Sequence, residues 1–248
     1  MKPTITIITV TLNAGTVLTG LIDSLRAQTD RDFEWIAVDG ASTDGTLELI
    51  KSAGDLVSKW ISEPDFGIYH AMNKALQMMS GEYYLVMGAD DRLRPDAIAQ
   101  YKHHAVLSNA DFVTTRIIRN GKLDTGKPKW SWLYAMFAYV INHSVGTLIR
   151  RSLHDRFGLY SKRFPVGADM YFVKSACMSP STKIHRADFV AGVHGNQGVS
   201  SVDKAAAFCD TFRVQLETER WKLLQIILFV AKLIWRVRDL IKMSRKHG

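Results

Sequence analysis

The sequence predicts an α/β protein built on a mostly parallel sheet. Strand-length runs of β-branched and apolar residues alternate with segments of helical periodicity between residues 4 and 95. With 47% hydrophobic and 23% charged residues, the composition is that of a folded protein. Alternation of this kind forms parallel sheets with right-handed crossovers. A chain of 248 residues can bury a sizeable core, as one large domain or as two smaller ones.

The first half contains four predicted strands joined by helices. The runs of strand character span 4–10, 33–38, 56–61 and the residues that begin at Tyr83. Helical spacing of apolar residues predicts connecting helices at 17–25, 46–53 and 68–79. Each strand therefore returns to the same edge of the sheet through a helix.

The second half is less regular. The sequence after Pro95 predicts a helix at 96–108, a strand at 112–115 and a hairpin turn at Asn120–Gly121. A stretch rich in Trp and Tyr then leads to a predicted strand at 145–149, a helix at 169–178 and strands around 183–193. Mixed structure of this kind beside a nucleotide-type sheet could bind a second substrate, and core packing is the alternative role for the aromatic residues.

Two adjacent carboxylates, Asp90 and Asp91, follow the fourth predicted strand. Ligands of open parallel sheets bind beyond the carboxyl ends of the strands, so this pair lies where a diphosphate and its metal ion could bind. Asp is also common in turns and at helix starts. The pair alone leaves both interpretations open.

A polar loop with the sequence DGASTDGT spans residues 39–46, between a predicted strand and a predicted helix. Backbone N–H groups at a helix start attract phosphate, and a carboxylate there can hold a base or a ribose. The loop lacks the lysine of a Walker motif and the GxGxxG pattern of dinucleotide-binding folds. A capped turn is the structural alternative.

The net charge of +8 is concentrated at the end of the chain. Residues 220–248 hold eight Lys or Arg residues against one Asp, so they supply +7 of it. A nearly neutral body argues against a broad nucleic-acid surface and favours a local anionic partner. Cys177 and Cys209 show no metal-ligand spacing, and no export signal is recognised, so we expect reduced thiols in the cytosol.

The basic tail contains an apolar segment at 223–235, which is shorter than the about 20 residues needed to span a bilayer. Polar and charged residues of the tail share one helical face: Gln225, Lys232, Arg236, Asp239, Lys242 and Lys246. This pattern predicts an amphipathic helix that lies on an anionic membrane surface. Packing against the body or against a homodimer partner is the alternative.

The order of the motifs TVTLNAG, VDGASTDGT, EPDFGIYHAMNKAL, GEYYLVMGADD, NHS and GAD makes the chain resemble glycosyltransferase family 2, whose members have the GT-A fold. The resemblance runs from about residue 4 to residue 201. It implies a glycosyltransferase domain at 1–202, with a nucleotide-sugar-binding half at 1–95 and an acceptor half at 96–202. A helical, basic membrane-association segment at 203–248 completes the predicted organisation.

The resemblance also implies roles for individual residues on the donor side. Asp39 matches the acid that hydrogen-bonds the base of the donor, and Asp91 matches the acid that ligates Mg²⁺ or Mn²⁺, with His194 as a further candidate ligand. The other implied donor-binding residues are Asn13, Ser42, Asp44, Lys74 and Asp90. The chain departs from the family pattern at Ala89, which replaces the first acid of the metal motif, and at His70, where relatives commonly carry Asp.

On the acceptor side, Asp169 matches the general base of inverting members; the structural alternative is a helix N-cap, a role that Asp169 could fill at the same time. His143 matches a histidine on the acceptor or phosphate side. His194 lies in a glycine-containing loop that could close on the diphosphate. A structural role remains the alternative for each histidine.

The implied function is inverting, metal-dependent sugar transfer from GDP-fucose or a UDP-hexose to a lipid-linked oligosaccharide. The resemblance extends to glycosyltransferases of colanic-acid biosynthesis, which suggests exopolysaccharide assembly at the inner face of the cytoplasmic membrane. Direct attack inverts the anomeric centre, and the sequence offers no unassigned nucleophile for a double displacement. The alternatives are a non-catalytic nucleotide- or saccharide-binding module at the membrane and a phosphoryl or nucleotidyl transferase.

Overall fold

A computed structural model describes residues 4–127, 129–196 and 203–244, with side chains up to residue 235. Nine strands form a single sheet within these ranges. They are β1 (Ile5–Thr11), β2 (Phe33–Asp39), β3 (Lys59–Ser62), β4 (Tyr83–Val86), β5 (Arg92–Leu93), β6 (Phe112–Arg119), β7 (Lys122–Asp124), β8 (Thr147–Arg150) and β9 (Ile184–His194). The strand order is β3-β2-β1-β4-β8-β6-β9-β5, with β7 paired to β6.

Helices cover both faces of this sheet. They are α1 (Leu18–Arg26), α2 (Thr46–Ser52), α3 (Ile68–Met78), α4 (Ala97–Ser108), α5 (Ser131–Tyr134), α6 (Leu153–Phe157), α7 (Ala168–Cys177), α8 (Lys204–Thr218) and α9 (Lys222–Ser244). Short 3-10 helices occur at Gly54–Leu56 and Ala135–Ala138. The predicted α/β class with a mostly parallel sheet is confirmed.

The sheet is parallel on the side formed by the first half of the chain. β1 pairs in parallel with β2 and with β4, and β2 pairs in parallel with β3. The carboxyl ends of these four strands therefore meet at one edge. β8 then runs antiparallel to β4 and to β6, so the chain direction changes beside β4. Ligands bind at such a change of strand order in open α/β sheets.

Alternation along each strand divides the core between the two faces of the sheet. In β4, Tyr83 and Leu85 pack into the cluster with α1 and α4, whereas Tyr84 and Val86 pack into the cluster with α3 and α7. Successive side chains of a strand point to opposite faces, so a strand buried on both sides is apolar throughout. This explains the uninterrupted YYLV run of β4.

Several element boundaries differ from the predictions. The third strand lies at Lys59–Ser62 rather than 56–61, because residues 54–56 form a 3-10 helix that begins at Gly54, whose φ is +61°. The predicted Asn120–Gly121 hairpin is confirmed between β6 and β7, with positive φ at both residues. The residues around 183–193 form one strand, which pairs in parallel with β6.

The C-terminal segment begins with a helix that is part of the body. In α8, Asp210 accepts hydrogen bonds from the backbone N–H groups of Val166 and Gly167, and Gln215 hydrogen-bonds the buried ammonium of Lys174. α9 packs against α8 through stacked rings of Phe208, Phe212 and Phe229 (Phe229 lies in α9). Among the described residues, no helix is both long enough and apolar enough to span a bilayer.

A helix on the surface is expected to turn its polar face to water, and α9 does not do so at Gln225. Gln225 is buried and donates a hydrogen bond to the carbonyl of Trp132. The exposed positions up to residue 235 are instead largely apolar: Trp221, Leu223, Leu224, Ile226, Ile227, Val230, Leu233, Ile234 and Trp235. An apolar strip of this extent is unusual for the surface of a monomer and marks an interaction surface.

Candidate active site

The loops after β1 and β2 are joined by hydrogen bonds at the edge where the parallel strands end. The backbone N–H of Asn13 donates to Ser42 Oγ over 2.8 Å, and the side-chain carbonyl of Asn13 accepts from the N–H of Thr43. Asp44 accepts from the N–H of Gly15 over 2.8 Å. The predicted donor-binding residues Asn13, Ser42 and Asp44 therefore lie together in one structure formed by two loops.

Asp39 lies at the end of β2 beneath these loops and is buried. Its carboxylate accepts hydrogen bonds from the hydroxyls of Thr11, Ser42 and Ser62 and from the N–H of Ser42. Burial acts to raise the pKa of Asp39, but these hydrogen bonds outweigh it and the pKa lies below the ordinary value. Asp39 is an anion held by neutral donors.

Lys74 lies on α3 and is paired with acids of the preceding loop. Its ammonium lies 2.6 Å from Asp65 Oδ1 and 2.7 Å from Glu63 Oε1, and His70 Nδ1 lies 3.1 Å from the same Asp65 oxygen. Desolvation acts to lower the pKa of Lys74, but hydrogen bonds to the two acids raise it. Asp65 also approaches Gly40, so this cluster borders the loop that contains Asp39.

Asp91 follows β4 and is buried by donors from three segments. Oδ2 accepts from the N–H of Gly88 over 2.6 Å and from the hydroxyl of Ser144, and Oδ1 accepts from the N–H of Gly195 over 2.8 Å. His194 Nδ1 lies 3.0 Å from Oδ1. The predicted metal ligands Asp91 and His194 are thus in direct contact, at the meeting point of β4, β9 and the segment before β8.

The contacts of Asp91 bear on whether this part of the site could hold a divalent cation. Among the described residues, no three His, Cys, Asp or Glu side chains converge as a complete metal cage. Mg²⁺ is commonly held by one or two carboxylates and by substrate phosphates, so a complete protein cage is not required. The adjacent carboxylates of Asp90 and Asp91 fit this arrangement, and the His194 ring contacts Asp91 through Nδ1. Gly195 lies against the Asp90 carboxylate, where a Cβ would clash.

The segment before β8 connects this acidic group to the acceptor side. Ser144 contacts Asp91, whereas its neighbour His143 is buried on the other side of the segment. Val145 follows with a φ of +61°, an unusual conformation for a β-branched residue, and its N–H donates to the carbonyl of Val86. Within this segment the adjacent side chains of His143 and Ser144 thus contact two different parts of the site.

Asp169 lies in the first turn of α7, and its carboxylate is about one-fifth exposed. Oδ1 accepts a hydrogen bond from the hydroxyl of Tyr69 over 2.6 Å and from the N–H of Met170 over 2.7 Å. Oδ2 lies 3.8 Å from His143 Nδ1. The alternative role predicted for Asp169, a helix N-cap, does not occur, because Gly167 occupies the N-cap position.

A buried row of polar side chains extends from His143 away from Asp169. His143 Nε2 lies 2.7 Å from the hydroxyl of Tyr160, which lies 2.8 Å from the hydroxyl of Tyr84. The Tyr84 hydroxyl lies 2.8 Å from His154 Nε2. Burial lowers the pKa of His143, lowers the pKa of His154 to about 4, and raises the pKa of both tyrosines above the ordinary value.

Sequence reasoning missed the residues that hold the predicted ones in place. Tyr69, Tyr84 and Tyr160 contribute hydroxyl groups near Asp169 and His143, and Ser144 contributes one to Asp91. A tyrosine in an apolar run gives no signal of its hydroxyl partner. Ser144 stands beside His143 in the NHS motif, and that adjacency was the one available indication.

Comparison with known proteins identifies the family of the chain. The model of glycosyl transferase family 2 matches residues 6–174. The match covers well over half of the chain. The chain belongs to glycosyl transferase family 2, and it is therefore a glycosyltransferase.

Individual relatives agree with this assignment. The chain is 31% identical over 182 residues to the PGL/p-HBAD biosynthesis glycosyltransferase of Mycobacterium bovis (strain BCG / Pasteur 1173P2), with 68% of each chain covered. The fold is similar to S. aureus TarS 1–349 in complex with UDP-GlcNAc, at a TM-score of 0.67 and 18% identity, covering 89% of this chain and 69% of the TarS 1–349 chain. It is also similar to the mannosyltransferase PcManGT from Pyrobaculum calidifontis in complex with GDP-Man and Mn²⁺ (TM-score 0.65, 20% identity, 91% and 68% covered).

We predict that the ionised form of Asp39 contributes to stability. Its pKa is depressed in the folded protein, so the contribution is present above the unfolded pKa of about 3.9 and is lost as the pH falls through the lower folded value. The unfolding free energy should fall more steeply from about pH 5 to pH 3 in the parent than in Asp39→Asn. Urea denaturation at constant ionic strength measures both slopes, and equal slopes would contradict the prediction.

We also predict that Asp91→Asn lowers the unfolding free energy by about 2–4 kcal/mol, because the amide brings a donor toward groups that already donate. Asp23→Asn is the matched control. Asp23 is exposed and paired only at 3.7 Å with Arg26, so its loss should change stability by less than about 0.5 kcal/mol. Urea denaturation without metal gives both values. If Asp91→Asn lowers the unfolding free energy as little as Asp23→Asn does, Asp91 does not hold the three segments together.

Proposed function

We propose that the chain is an inverting, metal-dependent glycosyltransferase that uses a nucleotide-sugar donor. The observation that carries the proposal is the arrangement around residues 142–146. Ser144 contacts the carboxylate of Asp91 on one side, and His143 approaches the carboxylate of Asp169 on the other. Sugar transfer needs a leaving diphosphate stabilised on one side of the sugar and an acceptor hydroxyl activated on the other.

The donor would bind over the carboxyl ends of β1, β2 and β4. Asp39 would accept a hydrogen bond from the base, in place of a Ser42 or Ser62 hydroxyl, since a hydroxyl can rotate to another partner. Asn13, Ser42 and Asp44 would shape this loop, and Lys74 would border it through Asp65. TarS and PcManGT have been solved with UDP and GDP donors respectively, so either base is compatible with this fold.

Asp91 and His194 would hold Mg²⁺ or Mn²⁺, and Asp90 would contact the ion or the donor sugar. The ion would neutralise charge on the diphosphate. Asp169 would take the proton of the acceptor hydroxyl as the oxygen attacks the anomeric carbon. In-line attack inverts the configuration at that carbon. Asp169 suits this role because its side chain is partly exposed while Oδ1 is fixed by the Tyr69 hydroxyl and the Met170 N–H.

We further propose a lipid-linked oligosaccharide as the acceptor, in exopolysaccharide assembly of the colanic-acid type, with GDP-fucose or a UDP-hexose as donor. The support is the exposed apolar strip of α9, next to the basic residues that follow it in the sequence. Such a helix binds the interface of an anionic membrane. The enzyme would then act at the inner face of the cytoplasmic membrane, where a lipid-linked acceptor shares its plane.

The central test is nucleotide release from a panel of UDP- and GDP-sugars, with Mn²⁺ and a lipid-linked acceptor. The parent should release UDP or GDP only when the donor, the ion and the acceptor are all present. Release of pyrophosphate or phosphate would indicate a nucleotidyl or phosphoryl transferase instead. Binding of the nucleotide without any turnover would indicate a non-catalytic module, for which Ala89 and His70 are the sequence arguments.

In the same assay, Asp169→Asn should lower kcat by about 10²–10⁴, the usual contribution of a general base. Asp188→Asn is the matched control, because Asp188 is 89% exposed and pairs with Arg116 on the surface. The control should retain the activity of the parent. Transfer by Asp169→Asn at the parental rate would remove Asp169 from the mechanism while leaving the family assignment intact.

Membrane binding is tested separately with α9. Ile227 and Ile234 are about half exposed, and replacing both with Asp removes apolar area from the strip. We expect binding to vesicles that contain phosphatidylglycerol to weaken at least about tenfold. Leu107→Asp on α4 is the control, because Leu107 is 66% exposed but lies outside the strip. The parent could instead be a dimer that does not bind vesicles, with the double variant a monomer. That result would show that the strip is a subunit interface.

A further inference from the structure

The buried row of side chains behind Asp169 has a defined direction of hydrogen bonding. It ends at the backbone carbonyl of Gly158, which lies 2.9 Å from His154 Nδ1. A carbonyl oxygen can only accept, so His154 Nδ1 carries a proton and donates it. Because a neutral imidazole has one N–H, His154 Nε2 is then an acceptor. The low pKa of His154 agrees with a neutral ring.

This direction propagates through the two tyrosines. Tyr84 has one hydroxyl proton and must donate it to His154 Nε2, so its oxygen accepts from Tyr160. Tyr160 has then used its own proton, and its oxygen accepts from His143 Nε2. His143 is therefore protonated at Nε2. In a neutral ring this leaves a lone pair on Nδ1, which faces Asp169 Oδ2 at 3.8 Å.

The two facing atoms are both acceptors while Asp169 is ionised, which accounts for a separation longer than a hydrogen bond. The contact becomes favourable once a proton is added, because a protonated Asp169 can donate to Nδ1. In the opposite tautomer, His143 would carry its proton on Nδ1, the atom that faces Asp169. It would donate to the ionised carboxylate and so make Asp169 a weaker base.

We propose that Tyr160, Tyr84, His154 and the Gly158 carbonyl hold His143 in the Nε2–H tautomer, so that His143 Nδ1 accepts the proton that Asp169 takes from the acceptor hydroxyl. This inference rests on the proposed role of Asp169. His143 is a positioning residue, since it acts through Asp169 and not on the sugar.

In the proposed sugar transfer, each bond that forms is matched by a bond that breaks. A lone pair of the acceptor oxygen forms the bond to the anomeric carbon, and the electrons of the bond to the diphosphate leave with the nucleotide. The acceptor O–H bond breaks, and its proton passes to Asp169 Oδ2. That proton is then shared with His143 Nδ1 until it exchanges with solvent, which reaches the partly exposed Asp169 carboxylate.

The decisive experiment removes a hydroxyl that does not touch His143. In Tyr84→Phe, the Tyr160 hydroxyl loses its acceptor and should turn to donate to His143 Nε2, which moves the His143 proton to Nδ1. ¹⁵N chemical shifts of histidine-labelled protein distinguish the two tautomers, with the His143 signals assigned from His143→Gln. We expect the Nε2–H form in the parent and the Nδ1–H form in Tyr84→Phe. This measurement needs neither donor nor acceptor.

Turnover provides the second readout. Tyr84→Phe should lower kcat about tenfold without changing the KM of donor or acceptor, since one hydrogen bond near the base is reversed. Tyr83→Phe is the matched control. Tyr83 is the preceding residue of β4, is equally buried, and donates its hydroxyl to the carbonyl of Ala110 on the other face of the sheet. It should keep the parental kcat and the parental tautomer.

Three results would overturn the proposal: an Nδ1–H tautomer in the parent, an unchanged tautomer in Tyr84→Phe, or equal kcat values for Tyr84→Phe and Tyr83→Phe. Tyr160→Phe replaces Tyr84→Phe if the latter does not fold, because it deletes the acceptor of His143 Nε2 directly. A parent without turnover would count against the proposed sugar transfer. An Nδ1–H parent would count against the positioning of His143, so the two failures are distinguishable.

Discussion

The buried carboxylate of Asp91 is the interaction on which the arrangement of the site depends. A buried charge is costly unless hydrogen bonds compensate it, and here the donors come from Gly88, Ser144 and the pair His194 and Gly195. These groups belong to the end of β4, the segment before β8 and the end of β9. One anion thereby fixes the distance between the parallel half of the sheet and the half added by the second part of the chain.

The segment at residues 142–146 transmits this constraint to the acceptor side. Since Ser144 is tied to Asp91, its neighbour His143 is tied to a fixed position opposite Asp169. The positive φ of Val145 belongs to the same segment, and such a conformation costs about 1–3 kcal/mol. The surrounding core holds it, because Val145 is buried and both of its backbone polar groups are hydrogen-bonded to Val86 and Tyr101. The strained residue thus directly follows His143 and Ser144 of the candidate site.

The parts of the fold that sequence predicts are those determined by local pattern. Apolar runs predict β1, β2 and β4, and the heptad-like spacing of apolar residues predicts α1. Asp39 and Asp91 could be selected as candidates because each comes at or after the end of a predicted strand. β5 escapes prediction because two residues carry no periodicity. The inward turn of Gln225 escapes it because the carbonyl of Trp132, 93 residues away, supplies its partner. The tyrosine row behind His143 is hidden for the same reason, since each hydroxyl finds its partner in another element.

The groups that surround Asp39 and Asp91 differ from those that surround two other acids, Asp30 and Glu219. Asp30 pairs with Lys102 and Glu219 pairs with Lys174, and in each of these pairs an ammonium group cancels the charge of the carboxylate. The described contacts of Asp39 and Asp91 are with hydroxyls, backbone N–H groups and, for Asp91, an imidazole. Neutral donors stabilise an anion without removing its charge. Negative charge therefore remains at the strand ends, where the proposed divalent cation and the diphosphate of the donor would bind.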